Sequence, residues 1–190
     1  VFQMGALKPG ETLLLHGGAS GIGVIGIQMA VAHGARVFAT AGDDAKCALV
    51  AKLGARAINY RTEDFEAILK DEGRADVVLD MVGGDYVQKN ISSMNPNGRC
   101  VQIAFMTGSK VTLDLMPVML KRLSITGATL RARSVEEKAA LAAAVEQTVW
   151  PWIEGGKITP VIDSVFALED VDQAHTRMAA GKHAGKILLK

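Results

Sequence analysis

The chain has 190 residues, 49% of them hydrophobic and 22% charged, with a formal net charge of +1. That is enough for one domain with a substantial core, or one domain plus a small extension. The near-neutral balance argues against nucleic acid as a partner, no charge run marks an interaction tail, and no window approaches the roughly 18 uninterrupted apolar residues of a membrane span.

Lys8-Pro9-Gly10-Glu11 reads as a turn and Thr12–His16 as the first strand. The strand runs into Gly17-Gly18-Ala19-Ser20-Gly21-Ile22-Gly23, and Ile22–His33 reads as the first helix, mostly buried and ended by Gly34. Gly26 and Ala30 share a small-residue face that can approach a sheet closely. Strand, glycines and helix in this order place backbone N–H groups and a positive helix end where a pyrophosphate can sit. From Gly18 the loop follows G-x-G-x-x-G with Ser20 at the second glycine position, where its hydroxyl can donate to a phosphate oxygen. From Gly17 the spacing resembles the loop of short-chain dehydrogenases. Those enzymes also need a Tyr-x-x-x-Lys pair, and Tyr60 and Tyr86 are followed by Asp64 and Asn90 instead. No Gly-Lys-Ser/Thr follows the glycines, which excludes a P-loop.

Arg36–Thr40 is the second strand, and Asp43 or Asp44 caps a helix reaching Leu53. No carboxylate stands at Thr40, where NAD enzymes place one for the adenine ribose. Lys46 falls in the first turn of the next helix. The third strand, Ala57–Asn59, delivers Tyr60 and Arg61 to the same corner. These three residues favour NADPH, with Asp43 and Asp44 as contrary evidence. A short helix over Asp64–Lys70 and a fourth strand, Val77–Asp80, follow. Next come a helix over Tyr86–Met94, a turn at Asn95–Gly98 and a fifth strand, Arg99–Ala104. Leu115–Arg122 reads as a helix and Leu123–Leu130 as the sixth strand. Six strand-then-helix units predict an α/β Rossmann fold, a doubly wound parallel sheet in the order 3-2-1-4-5-6. Ser134-Val135-Glu136-Glu137 is a capping box for a long helix ending near Trp152, with Leu141, Val145, Thr148, Val149 and Trp152 as its inner stripe. The tail holds a strand at Val161–Phe166, a helix at Glu169–Ala180 and a strand at Lys186–Leu189. The expected division is a dinucleotide-binding domain over residues 1–158 and a C-terminal segment over 159–190.

Cys47 and Cys100 form no C-x-x-C pair, so separate thiols in a reducing compartment are expected and a zinc site within the chain is not. Nothing at Val1 resembles a signal peptide, and a cytoplasmic protein is expected. His16, beside the glycine loop on an apolar strand, reads as a structural histidine bonded to backbone. His33 closes a helix, and His175 and His183 read as surface groups. Asp80 is open between organising its loop and touching a cofactor, and Phe105 and Met106 between core and site. No proton donor has the spacing of an acid/base pair, so no catalytic residue is assigned.

With these residues in view, the chain resembles the cofactor half of a medium-chain dehydrogenase/reductase of the NADPH:quinone oxidoreductase branch, also described as zinc-binding dehydrogenase-like. The resemblance runs through nearly the whole chain. It is carried by Leu7–Glu11, His16–Gly23, Ala39–Gly42 with Lys46-Cys47, Leu53–Ala55, Ile58–Tyr60, Asp80-x-Val82-Gly83-Gly84, Asn97–Arg99 and Gly185–Leu189. It implies that Ser20, Gly21, Ile22 and Gly23 hold the pyrophosphate, and Gly42, Lys46 and Tyr60 the 2′-phosphate of NADPH. Val82 would lie near the nicotinamide ribose, and Ala104, Phe105 and Met106 would flank the nicotinamide. Leu130 and Arg131 follow the sixth strand, which in the family often pairs with its twin to make a homodimer. Lys186 would stand near the cofactor phosphate. The resemblance also implies a substrate domain on the N-terminal side, which the segment from 159 would return to support.

The expected function is NADPH-dependent hydride transfer to a small-molecule quinone or α,β-unsaturated carbonyl. A non-catalytic dinucleotide-binding or dimerisation module, and an enoyl reductase module of a larger synthase, are the alternatives.

Overall fold

The computed structural model describes all 190 residues. The first half alternates β1 (Thr12–Leu15), α1 (Gly23–Ala32), β2 (Arg36–Ala41), α2 (Asp44–Lys52), β3 (Arg56–Asn59), α3 (Phe65–Glu72), β4 (Ala75–Asp80) and α4 (Tyr86–Ser93). It continues through β5 (Met94–Gln102), α5 (Met116–Lys121), β6 (Ser124–Gly127), α6 (Val135–Glu154), β7 (Ile162–Phe166), α7 (Val171–Ala179) and β8 (Lys186–Leu189). The first six strands form one sheet in the order β3-β2-β1-β4-β5-β6, every pair parallel. This is the doubly wound α/β arrangement that the strand–helix alternation predicts.

Strand period explains the two cores. Leu13 and Leu15 point to one face with Ile27 and Ala30 of α1, and Leu14 points to the other with Phe38, Phe65 and Ile91. Both faces are covered, so β1 is apolar throughout. At the N-terminal edge of the strands, Arg99 grips Glu11 through both oxygens, at 3.0 and 2.7 Å, and donates to the Gly5 carbonyl at 2.8 Å. This bidentate pair joins the Lys8–Glu11 turn to β5 and holds the Glu11 carboxyl below its usual range.

Several sequence boundaries move. The sixth strand is Ser124–Gly127 rather than Leu123–Leu130. The chain leaves the sheet after the Ala128 amide donates to the Gln102 carbonyl, and Leu130 is 61% exposed. Residues Asn95–Gly98 lie within β5, where an irregular register absorbs them, rather than in a separate turn. Helix α1 is less enclosed than expected, with Val31 exposed, and so is Ile22, which precedes its first turn. In α6 only Val149 of the expected stripe is buried, and Val145 is exposed. Its last turns pack instead, with Trp152 near Phe2 and His33.

The C-terminal segment is pinned to the Rossmann sheet at two points. Buried Gln28 of α1 donates to the Thr159 carbonyl (3.0 Å) and accepts from its amide (2.8 Å). Gly185 donates to the Ala19 carbonyl at 2.8 Å, and Ser20 and Gly185 form a parallel bridge. Strands β7 and β8 make their own two-stranded sheet, braced by a short Arg177–Asp163 ion pair that holds the Asp163 carboxyl well below its usual range. No helix is long and apolar enough to cross a membrane.

Candidate functional site

The C-terminal ends of the strands carry the site, beginning with the loop between β1 and α1. Gly17 adopts φ +71°, a conformation that favours glycine. Gly18 donates to the Thr40 carbonyl at 2.8 Å and lies so close to Ala39 and Val50 that a Cβ there would meet both at 2.9 Å. The Gly23 amide donates to the Ser20 hydroxyl oxygen at 2.9 Å, so Ser20 organises the turn and keeps its own proton to donate. The amides of Gly21 and Ile22 donate to no protein acceptor. Over them lies Lys186: a Cβ added to Gly21 would fall 2.5 Å from its Nζ, and that ammonium has no salt-bridge partner. Two unpaired N–H groups at a helix N-terminus and a free cation form a site for a phosphate anion.

Beyond β2 and β3 lies a cavity of about 660 Å³ lined by Gly42, Lys46, Tyr60, Arg61, Lys182 and others. The Tyr60 hydroxyl closes over Gly42, where a Cβ would sit 2.6 Å from it, so a side chain there would push the exposed ring aside. Lys46 Nζ donates to the Gly181 carbonyl at 2.6 Å and keeps further protons for a ligand. The two carboxylates that argued against a 2′-phosphate have other work. Asp43 caps α2 by accepting from the Lys46 amide (2.8 Å), and Asp44 accepts from Asn59 Nδ2 (2.8 Å). Lys182 is a basic residue that sequence reasoning missed. It belongs to the tail, and only the docking of β8 on the glycine loop brings it here.

At the end of β4, fully buried Asp80 accepts from the amides of Val82 (2.6 Å) and Gly83 (3.2 Å) and from Asn90 Nδ2 (3.0 Å). It is therefore the organiser of its loop. Val82 and Met81 in turn accept from the amides of Thr107 (2.9 Å) and Met106 (3.1 Å), tying the loop after β5 to the loop after β4. Phe105 and Met106 are 51% and 76% exposed, so they are not core residues. Ala104 is exposed beside them, its carbonyl accepting from Gln102 Nε2 at 2.6 Å. Leu130 and Arg131 lie exposed in the turn before α6 and line none of the cavities described.

His16 is completely buried, and it is structural as expected. However, its partners are side chains rather than backbone: Thr40 Oγ1 at 3.1 Å and Asn90 Oδ1 at 2.8 Å. Read from sequence, neither Thr40 nor Asn90 has a part in holding His16. The available signal was Asn90 on the inward stripe of α4 with Val87 and Ile91, a polar residue at a core position. Burial pushes the His16 pKa below its usual 6.5, against the upward pull of Asn90 and Asp80. Tyr86, Phe65 and Thr40 complete its surroundings. A histidine kept neutral by folding contributes stability that is fully present above its unfolded pKa and lost as pH falls below it. Urea denaturation should therefore show stability falling as the pH drops below about 6.5, and His16→Gln should flatten that fall.

No three His, Cys, Asp or Glu side chains converge to hold a metal. Buried Cys100 packs among Leu14 and Val78, its thiol pushed up to about 12 by burial, while Cys47 packs against the opposite core.

The zinc-binding dehydrogenase family matches residues 21–146. The chain is 32% identical to a human quinone oxidoreductase, covering 96% of this chain and 55% of that protein. It is 29% identical to a phenolphthiocerol/phthiocerol polyketide synthase of Mycobacterium tuberculosis, covering 98% of this chain and 9% of that one. Among solved structures, the quinone oxidoreductase of Thermus thermophilus, also determined in complex with NADPH, superposes with a TM-score of 0.87 at 26% identity. That match covers all of this chain and 60% of the other. The chain thus spans little more than half of the quinone oxidoreductases it matches. It belongs to the zinc-binding dehydrogenase family of the medium-chain dehydrogenase/reductase superfamily.

Proposed function

We propose that this chain is the cofactor-binding part of an NADPH-dependent oxidoreductase that reduces a quinone or an α,β-unsaturated carbonyl. The observation that carries the reading is the Lys186 ammonium beside the unpaired amides of Gly21 and Ile22. Lys46, Arg61 and Lys182 around the neighbouring cavity support a second anionic group there, the 2′-phosphate that separates NADPH from NADH. The bound dinucleotide would supply a hydride, with the balancing proton drawn from solvent. The chain's residues would bind and orient: Ser20–Gly23 and Lys186 the pyrophosphate, Gly42, Lys46 and Tyr60 the adenosine phosphate, and Phe105 and Met106 the exposed ring face. Although the family's name refers to zinc, these side chains do not fit a zinc ion, and none is invoked.

The matching stretch of a polyketide synthase supports a second reading, an enoyl reductase unit acting on an acyl thioester. This chain alone should bind NADPH but turn over poorly; in the whole enzyme, with its substrate domain, loss of NADPH absorbance with a quinone, a simple enone and an enoyl thioester distinguishes the two. Turnover of the quinone or enone is expected. Turnover of the thioester alone would favour the second reading, and turnover of none would refute both.

The same reading makes the protein a cytoplasmic homodimer joined along β6. That strand is one of the two edges of the sheet, and its Ile125 is 43% exposed. Sedimentation should give a dimer mass, and Ile125→Asp should give the monomer. A monomer in the unaltered protein would refute this arrangement.

A further inference from the structure

The polar side chains buried behind the site run in one direction. Asn90 donates through Nδ2 to Asp80 at 3.0 Å, which leaves its Oδ1 facing His16 Nε2 at 2.8 Å. An amide oxygen carries no hydrogen, so Nε2 holds the ring proton and Nδ1 is an acceptor. The Thr40 hydroxyl, 3.1 Å from Nδ1, must therefore donate to it. Its oxygen accepts from the Gly17 amide at 3.3 Å. Each donor thus points the same way, from the glycine loop through Thr40, His16 and Asn90, to a carboxylate that also accepts from Val82 and Gly83. Such a run polarises itself, and leaving any buried member unpaired is costly. The ring cannot turn to other partners. Phe65 and Tyr86 pack edge-on against it, with centroids at 4.9 and 4.8 Å.

The two ends of this run are the two walls of the site. Thr40 lies two residues before Gly42, at the rim of the basic cavity. Asp80 shapes the loop that holds the Met106 and Thr107 amides. We propose that His16 is a positioning residue: as the neutral Nε2–H tautomer it fixes the glycine loop and the end of β2 against the loops after β4 and β5, so that the adenosine and nicotinamide sides of the site are set together. The functional half of this inference rests on the dinucleotide reading above. The mechanical half does not.

Thr40→Val keeps the shape of the side chain and suits a strand, but it has no hydroxyl. Thr40→Ser keeps the hydroxyl. In the ligand-free protein, Thr40→Val should shift the NMR resonances of the Val82 and Gly83 amides, and Thr40→Ser should restore them. With NADPH, Thr40→Val should raise Kd roughly 5–30-fold and change the nicotinamide emission at saturation, again with rescue by serine. Unmoved Val82 and Gly83 amides in folded Thr40→Val would overturn the proposal. Should that variant not fold, side-chain nitrogen NMR of the unaltered protein decides. The Nε2–H tautomer of His16 supports the proposal, whereas Nδ1–H, or an imidazolium at neutral pH, overturns it. If the unaltered protein binds no NADPH, the dinucleotide reading fails, while the amide and ring measurements still judge the positioning role.

Discussion

Replacing Lys46 with alanine should weaken NADPH binding roughly 10–150-fold and leave NADH binding nearly unchanged, because a hydrogen bond to a charged group is worth about 1.5–3 kcal/mol. Lys186→Ala should weaken both dinucleotides by a similar factor. The difference follows from where the two cations stand. Lys186 lies over the free amides at Gly21 and Ile22, the proposed place of the pyrophosphate that both cofactors share. Lys46 lines the neighbouring cavity with Tyr60, Arg61 and Lys182, the proposed place of the 2′-phosphate that only NADPH has. Neither substitution should disturb folding, since Lys186 Nζ makes no ion pair and Lys46 loses only an exposed bond to the Gly181 carbonyl and a long surface ion pair with Asp43 at 3.8 Å. Calorimetric titration of both variants with both cofactors is the measurement. Equal losses for NADPH and NADH in Lys46→Ala would remove the basis for NADPH preference.

The sheet was legible because glycines and caps punctuate an otherwise regular alternation. Gly17–Gly23, Gly34, Asp43, Gly54 and Asp64 each mark a boundary that the structure respects within a few residues. Reading failed where apolar residues are not buried. Leu123–Leu130 looks like a strand, but only Ser124–Gly127 pairs along β5; Leu123 and Ala128 flank it half-buried, and Leu130 faces solvent. The stripe of α6 failed likewise, because only its last turns have anything to pack against.

The glycine turn with its unpaired Gly21 and Ile22 amides could be read because it is local, one loop and the start of one helix, whereas Lys186 reaches it from the far end of the chain. The buried run from Thr40 to Asp80 could not. Its members come from β1, β2, β4 and α4, with His16 and Asn90 separated by 74 positions. No periodicity links them. Asn90 entered the sequence argument only as the residue that fails to complete a Tyr-x-x-x-Lys pair, yet its amide is what orients both His16 and Asp80.

The largest stability effect should come from a single methyl group, in Gly23→Ala. Inside an ordinary helix that change stabilises, by roughly 0.5–1 kcal/mol. Here the new Cβ would fall 2.6 Å from the Gly18 carbonyl oxygen and closer still to that of Gly17. Both are backbone atoms, and no rotamer relieves the clash. Nor can the loop retreat, because Gly18 is itself pressed against Ala39 and Val50. The expected net loss is about 2–3 kcal/mol, as for an overpacked core, which lowers the melting temperature by roughly 5–10 °C. Cofactor binding should be lost as well, since displacing the loop misdirects the Gly21 and Ile22 amides. Gly26→Ala is the control one turn along. Its Cβ would meet one atom within reach, a methyl of the buried Leu15 side chain at 2.7 Å, and no backbone, so the cost should be smaller. Thermal denaturation should therefore separate the two variants clearly. If Gly23→Ala melts with the unaltered protein, the turn is looser than these contacts require, and the free amides it presents cannot be a preformed anion site.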